Sequence, residues 1–390
     1  MVEEFGSPSS YIQGKGVLFE SDKYLKNFGT KPLLLAGETV YKIVGKRFEQ
    51  YLQESGYDVT RVQFNGESST NEVNRVTEIG KENNVTVVYG LGGGKTVDTA
   101  KAIADNLHLP VVIMPTLASN DAPCSRLSVI YTDDGGFDHY RFYNQNPNLV
   151  LVDTQVIANG PVRMLISGIA DALATNVEAQ AVAQAHSDTM LGEKQTLVGN
   201  AIAQKCEETL FNYSHLAVAD AETHVVTPAF SNIVEANTLM SGLGFESGGL
   251  SGAHAIHDGL TILEETHDLT HGEKVAYGTL TQLMLEGADQ ERYNKYFQFI
   301  LSLGLPTTLA DLHLENVTDE ELLNAGKAAC SEQDTMDRLP FKVTPDDVAQ
   351  ALRAVDAYTK QYLTNHRCHH SRMSVSYTHL RAHETDSYLV

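Results

Sequence analysis

VTVVYGLGGGKTVDTAKAIADNL, residues 85–107, carries the reading of the fold. Its first part, through Gly94, is an apolar run of strand length that ends in three consecutive glycines. From Lys95 the spacing changes to that of a helix. A buried strand, a glycine turn and a helix, in that order, make a phosphate-binding unit. Glycine backbone can approach a phosphate closely, and a helix start offers free N–H groups and partial positive charge. Gly92, Gly93, Gly94 and Lys95 are therefore candidate pyrophosphate contacts. The spacing is neither GxGxxG nor that of a Walker A loop. Asp98, one turn into the helix, is a candidate cofactor contact or, alternatively, a carboxylate serving the helix dipole.

The same alternation extends on both sides. YIQGKGVLF (11–19), LLLA (33–36), DVTRVQF (58–64), LPVVIMPT (109–116) and NPNLVLVDTQVI (146–157) read as strands. TVYKIVGKRFEQYLQESG (39–56) and NEVNRVTEIGKENN (71–84) read as helices between them. Short apolar runs alternating with amphipathic helices predict a Rossmann-like parallel sheet with helices on both faces. SRLSVIYTDDGGFDHYRFY (125–143) reads as a hairpin that turns at Asp133–Gly136. Gly160-Pro161 marks a boundary, and from there to about residue 363 the pattern is helical. The expected organisation is an α/β N-terminal domain over 1–160, an all-α C-terminal domain over 161–363 and a tail over 364–390.

Composition sets limits. The chain has 390 residues, 42% hydrophobic and 20% charged, with room for a sizeable core. Its formal net charge of −22 argues against nucleic acid or an anionic membrane surface as partner. Four scattered cysteines form no CxxC pair, which suits reduced thiols in the cytoplasm. MVEEFGSPSS lacks the form of a signal peptide, and no apolar stretch approaches the ~20 residues of a membrane helix. SVSYTHLRAHET (374–385) looks like a translated sequencing adapter, so 374–390 is set aside from the fold.

Two further stretches carry chemistry. PTLASNDAPCSRLSVIY (115–131) follows a strand at the end where open parallel sheets bind ligands, and it is dense in polar side chains, with Asp121 expected near the glycine turn. FESGGLSGAHAIHDGLTILEETHDLTHGEKVAYG (245–278) places His254 and His271 in glycine-rich, apolar surroundings. With Asp171, in SGIADALATNVEA, they offer three candidate metal donors. Spacing alone describes equally a buried helix histidine, a histidine at a helix start and a capping aspartate, since zinc motifs with tight spacing are the specific ones.

GGGKTVDTAKA, PTLASNDAPCSRLSVIYTDDG, GIADALAT, HVVTPAFSNIVEANTLMSGLGFESGGLSGAHAIHDGLT and HGEKVAYGTLTQL together resemble the glycerol dehydrogenases, the zinc-dependent branch of the iron-containing (type III) alcohol dehydrogenase family. The resemblance runs from about residue 11 to about 363 and implies a dehydroquinate synthase-like architecture, with NAD and Zn2+ as cofactors and glycerol as substrate. It implies that Asp171, His254 and His271 bind zinc, and that Gly94 and Lys95 hold the pyrophosphate. Thr116 and Ser119 continue the cofactor edge. Ser125, Leu127 and Tyr131 lie by the nicotinamide, and Asp121 meets the substrate hydroxyls. It also implies a homo-oligomer.

Two departures stand out. Relatives usually carry an acidic residue where this chain has Gly37; Glu38, one position on, is then the candidate for the ribose contact, and discrimination of NAD from NADP depends on it. Iron-using members place a further histidine, a fourth donor, where this chain has Thr175. Three protein donors leave positions open, as suits catalytic zinc. His257 is read as a neighbour of the metal ligands or a pocket wall.

The expected chemistry is oxidation of glycerol to dihydroxyacetone: the metal stabilises the alkoxide as it forms, and the carbon passes hydride to the nicotinamide. The alternatives are a dehydrogenase of 1,2-propanediol, 2,3-butanediol or another diol or hydroxyketone, a dehydroquinate synthase-like lyase, and a non-catalytic zinc and nucleotide binder. The lyase ranks low because residues 245–280 offer only Lys274 to a phosphorylated acid.

Overall fold

The computed structural model describes residues 1–370; the stretch read as an adapter lies outside them. Eight strands occur among the described residues: β1 (Tyr11–Gly14), β2 (Pro32–Gly37), β3 (Thr60–Phe64), β4 (Val87–Gly92), β5 (Val111–Pro115), β6 (Leu127–Tyr131), β7 (Phe137–Phe142) and β8 (Leu149–Asp153). Six form one sheet in the order β1-β8-β5-β4-β2-β3, with every pairing parallel. β6 and β7 form the antiparallel hairpin. After Asp153 the described chain is helical.

The central strands are buried on both faces, so they are apolar without alternation. Leu33, Leu35, Val88, Ile113 and Val150 point to one side. Leu34, Ala36, Val87, Tyr89, Val112 and Leu151 point to the other, against Phe48 and Leu52. The first of these cores continues into the helical half through Ile169, Phe230, Ile256 and Leu280. Because the strands are parallel, Gly37, Gly92, Pro115 and Asp153 end at one edge of the sheet, where the ligand-binding crevice of an open α/β sheet lies.

Two expected strands are shorter than their apolar runs. β1 stops at Gly14, and Val17–Glu20 is a 3-10 turn; β8 stops at Asp153, and Thr154–Ala158 is a helix. One carboxylate explains both. Asp153 accepts the amides of Gly16 (2.9 Å) and Leu18 (3.2 Å) on one side and of Gln155 (3.0 Å) on the other. An aspartate at a helix N-cap satisfies amides that strand pairing would otherwise claim.

The helical half brings three helices unusually close. They are Val162–Ala185, Gly252–Leu260 and His271–Leu285. A Cβ on Gly272 would stand 1.8 Å from the carbonyl oxygen of Ser167, and one on Gly278 would stand 2.3 Å from that of Ala253. Glycine at these two crossings lets backbone touch backbone. Gly278→Ala is expected to lower stability by ~1–3 kcal/mol through overpacking, read as a lower denaturation midpoint at unchanged slope.

Candidate active site

The glycine turn sits at the carboxyl end of β4. Gly93 precedes the helix Gly94–Leu107, and the amide of Val97 is bonded back to the Gly93 carbonyl at 3.0 Å. The amides of Gly94, Lys95 and Thr96 lie before it, at the end of a helix that leaves backbone donors without intrahelical partners. Lys95 reaches Glu67 at 2.7 Å and lies 5.0 Å from the centre of the Tyr131 ring. The amide of Thr116, at the end of β5, bonds to the Gly92 carbonyl (3.0 Å). Gly37 ends β2, with open space where a Cβ would go, and the exposed Glu38 is turned to Lys42 at 2.7 Å.

Asp98 serves the hairpin. Its carboxylate accepts the amide of Val129 (3.1 Å) and its carbonyl accepts the Ser128 hydroxyl (2.9 Å). It is buried and 3.5 Å from the ammonium of Lys101, which is buried too. Burial pushes the Asp98 carboxyl up to about 6, against the pull of Lys101 and the Val129 amide. Lys101 donates to the carbonyls of Ala122 (2.5 Å) and Leu127 (2.9 Å) and lies 3.3 Å from the Ser125 hydroxyl. It thus fixes the loop that carries Asp121 and Ser125.

That loop meets the helical half at Asp171. The carboxylate is fully buried, and its Oδ2 accepts the amide of Asp121 (3.2 Å). Its Oδ1 stands 3.2 Å from Nε2 of His254 and 3.1 Å from Nε2 of His271. One donor atom from each of the three lies within 4.8 Å of the others. His254 is held in the first turn of the Gly252–Leu260 helix, and His271 opens its own helix beside the capping box of Thr270 and Glu273. The hydroxyl of Ser167, four residues before Asp171, donates to the Ser119 carbonyl (3.2 Å), so the same junction joins both halves.

Electrostatics mark the cluster. Burial alone would raise Asp171, but the two imidazoles hold its carboxyl below the ordinary range. Asp121 is pushed well above that range by burial and by Asp171. Burial works against a charge on His254, yet Glu178 and Asp171 raise it well above the ordinary imidazole value. His257 is pushed down to about 4 by burial and by His271. Two imidazoles and one carboxylate converging in a buried place suit a divalent cation, and three protein donors are one fewer than a closed tetrahedral set.

Several contacts were not legible in the sequence. Of the two readings of His257, the structure takes the neighbour: its Nε2 stands 3.0 Å from Nδ1 of His271. Thr175 is bonded to Ser241 (2.8 Å), whose hydroxyl donates to Asp121 (2.7 Å), so a polar chain occupies the place of a fourth donor. Glu178 accepts from His254 at 2.6 Å. Its one sequence signal is a position two helical turns after Asp171 in an alanine-rich run.

Among known proteins, a family model described as iron-containing alcohol dehydrogenase matches residues 8–154. A glycolaldehyde reductase of Halobacterium salinarum is 46% identical over 356 residues, 91% of this chain and 98% of that one. A glycerol dehydrogenase of Escherichia coli is 44% identical over 357 residues, 92% and 97% of the two chains. The crystal structure of glycerol dehydrogenase from Schizosaccharomyces pombe superposes with a TM-score of 0.90 at 42% identity, covering 96% of this chain and 94% of that one.

Lys101→Met should cost on the order of 3–5 kcal/mol, the loss expected when one partner of a buried ion pair is removed. It should also weaken binding of a nicotinamide dinucleotide. Urea unfolding and a fluorescence titration with NADH would check the two effects separately.

Proposed function

The chain belongs to the iron-containing alcohol dehydrogenase family, and from that premise we propose that it oxidises glycerol to dihydroxyacetone with NAD as hydride acceptor. The observation that carries this reading is the junction at Asp171. One loop leaves the sheet edge beside the glycine turn and binds, through the Asp121 amide, the carboxylate that gathers two imidazoles. A dinucleotide on the sheet edge and a metal between the helices would therefore meet at the same place.

Asp171, His254 and His271 would hold the metal, and the donor set favours zinc. When bound, a divalent metal supplies Lewis-acid polarisation of the substrate hydroxyl. The remaining work falls to the chain. Gly92, Gly93, Gly94 and Lys95 would seat the pyrophosphate at the helix start, with Thr116 and Ser119 along its edge. Ser125, Leu127 and Tyr131, held by Lys101 and the hairpin, would orient the nicotinamide. Asp121 has Oδ2 bonded to Ser241, so its other oxygen is the one for a glycerol hydroxyl. A bound nicotinamide would supply the hydride acceptor for the substrate carbon, and Asp121, facing the hydroxyl, would be placed to take part in moving its proton.

A second reading follows from the glycolaldehyde reductase relative: the same groups would reduce a small hydroxyaldehyde, the reverse chemistry on a related substrate. Another vicinal diol as substrate fits equally with these groups. We further propose a homo-oligomer, because Leu197, Val198 and Leu216 are exposed on the helix Leu197–Glu222. A cytoplasmic site is proposed from the unpaired thiols of Cys124, Cys206 and Cys330. No helix among the described residues is long and apolar enough to cross a membrane.

Steady-state kinetics with glycerol, 1,2-propanediol, 2,3-butanediol and, in reverse, glycolaldehyde should place glycerol first by kcat/KM; a much higher value for glycolaldehyde would favour the second reading. Asp171→Ala and His271→Ala should lose zinc, measured by elemental analysis, together with turnover. Full turnover in either variant after chelation would sink the metal assignment. Gly37→Asp should raise the preference for NAD over NADP by on the order of tenfold, through repulsion of the 2′-phosphate. The ratio of kcat/KM values for the two dinucleotides checks it.

A further inference from the structure

We propose that Glu178 is a positioning residue of the metal centre, fixing which nitrogen of His254 faces the ion. The proposal rests on the metal reading above. Glu178 and Asp171 share the helix Val162–Ala185, two turns apart, so both carboxylates face the start of the helix that carries His254. Glu178 is fully buried. Its Oε2 stands 2.6 Å from Nδ1 of His254. Its Oε1 accepts the amides of Ser251 and His254, both at 2.9 Å. The residue therefore grips His254 at both ends, by the ring and by the backbone.

The chemistry of a carboxylate makes this contact directional. An ionised carboxylate only accepts hydrogen bonds. It therefore keeps a proton on Nδ1, so that Nε2 is the nitrogen that would offer its lone pair to an ion in the space shared with Asp171 and His271. The two imidazoles are not restrained alike. Nδ1 of His271 faces Nε2 of His257 at 3.0 Å, and the other nitrogen of His257 stands 2.8 Å from Asp258, so a carboxylate reaches His271 only through a second ring. Glu178 touches His254 directly, so the orientation of His254 is the more strictly set of the two.

Glutamine tests the point because it keeps the shape and removes one acceptor. If the amide oxygen faces the two backbone N–H groups, the NH2 meets Nδ1 and drives the ring proton to Nε2, where the ion would bind. If the amide turns over, the NH2 opposes two backbone donors. Either way a contact made by the carboxylate is lost. A role limited to placing the helix would respond differently. Gln282 also anchors this helix start, its Oε1 accepting the Ala253 amide at 2.7 Å and the Ser251 hydroxyl at 3.3 Å rather than bonding the His254 ring.

The experiment compares zinc affinity of metal-stripped full-length protein, measured by competition with a chromophoric chelator, in the unmodified chain, Glu178→Gln, Glu178→Asp and Gln282→Met. Cobalt-substituted samples supply an absorption spectrum that reports ligand geometry. Glu178→Gln should bind zinc ~10–100-fold more weakly, with shifted cobalt bands, while Gln282→Met stays within about twofold of the unmodified chain. Glu178→Asp keeps the charge but is one methylene short, and should fall between. Unchanged zinc affinity in both Glu178 variants overturns the proposal. So does an equal loss in Gln282→Met, which would reduce the role to helix placement. An unmodified chain that takes up no zinc would instead overturn the metal reading itself, a result distinguishable from the others.

Discussion

A carboxylate with no exposure to water has to be compensated, and the helical half is built to compensate Asp171. An isolated buried charge costs several kcal/mol or more, so its neighbours must be cationic or strongly donating. Here they are two imidazole edges and one backbone amide, each from a different segment. None of the three can be moved without leaving the charge exposed to an apolar interior. The close helix crossings at Gly272 and Gly278 follow from this demand, because any side chain there would hold His254 or His271 out of reach.

The same demand couples the two halves of the molecule. The Asp121 amide belongs to the loop after β5, and that loop is fixed at its other end by Lys101. Lys101 is itself buried and neutralised by Asp98, which also holds the hairpin. A continuous set of polar contacts thus runs from the first helix after the glycine turn to the cluster between the helices. Burial makes each link strong and each unsatisfied link expensive, so the set has one arrangement. Geometry at the carboxyl edge of the sheet and geometry around Asp171 are consequently not independent.

Much of this was open to reading from the chain. The parallel sheet followed from apolar runs of strand length alternating with helical spacing, and the hairpin from Asp133–Gly136 between two β-rich runs. Strand ends were less legible. At β1 and β8 the apolar pattern continued past the last paired residue, because the buried carboxylate of Asp153 captured the amides. Asp98 illustrates a different limit. Its place one turn into the helix suggested a cofactor contact or a dipole effect, whereas it pairs with Lys101 three residues on, a contact helical spacing allows, and with Val129 of β6, a contact local spacing does not encode.

Sequence by itself determined the alternation of strands and helices, the glycine turn at the end of β4, and the residue types available for a cation and a dinucleotide. These depend on periodicity and on the intrinsic chemistry of side chains, which are local properties. Only the tertiary structure decided that Asp171, His254 and His271 share one point, that Glu178 stands behind His254, and that Ser241 links Thr175 to Asp121. Those contacts span 66 to 120 positions of chain, with no fixed spacing to betray them. They exist because burial of charge forces distant segments to satisfy one another.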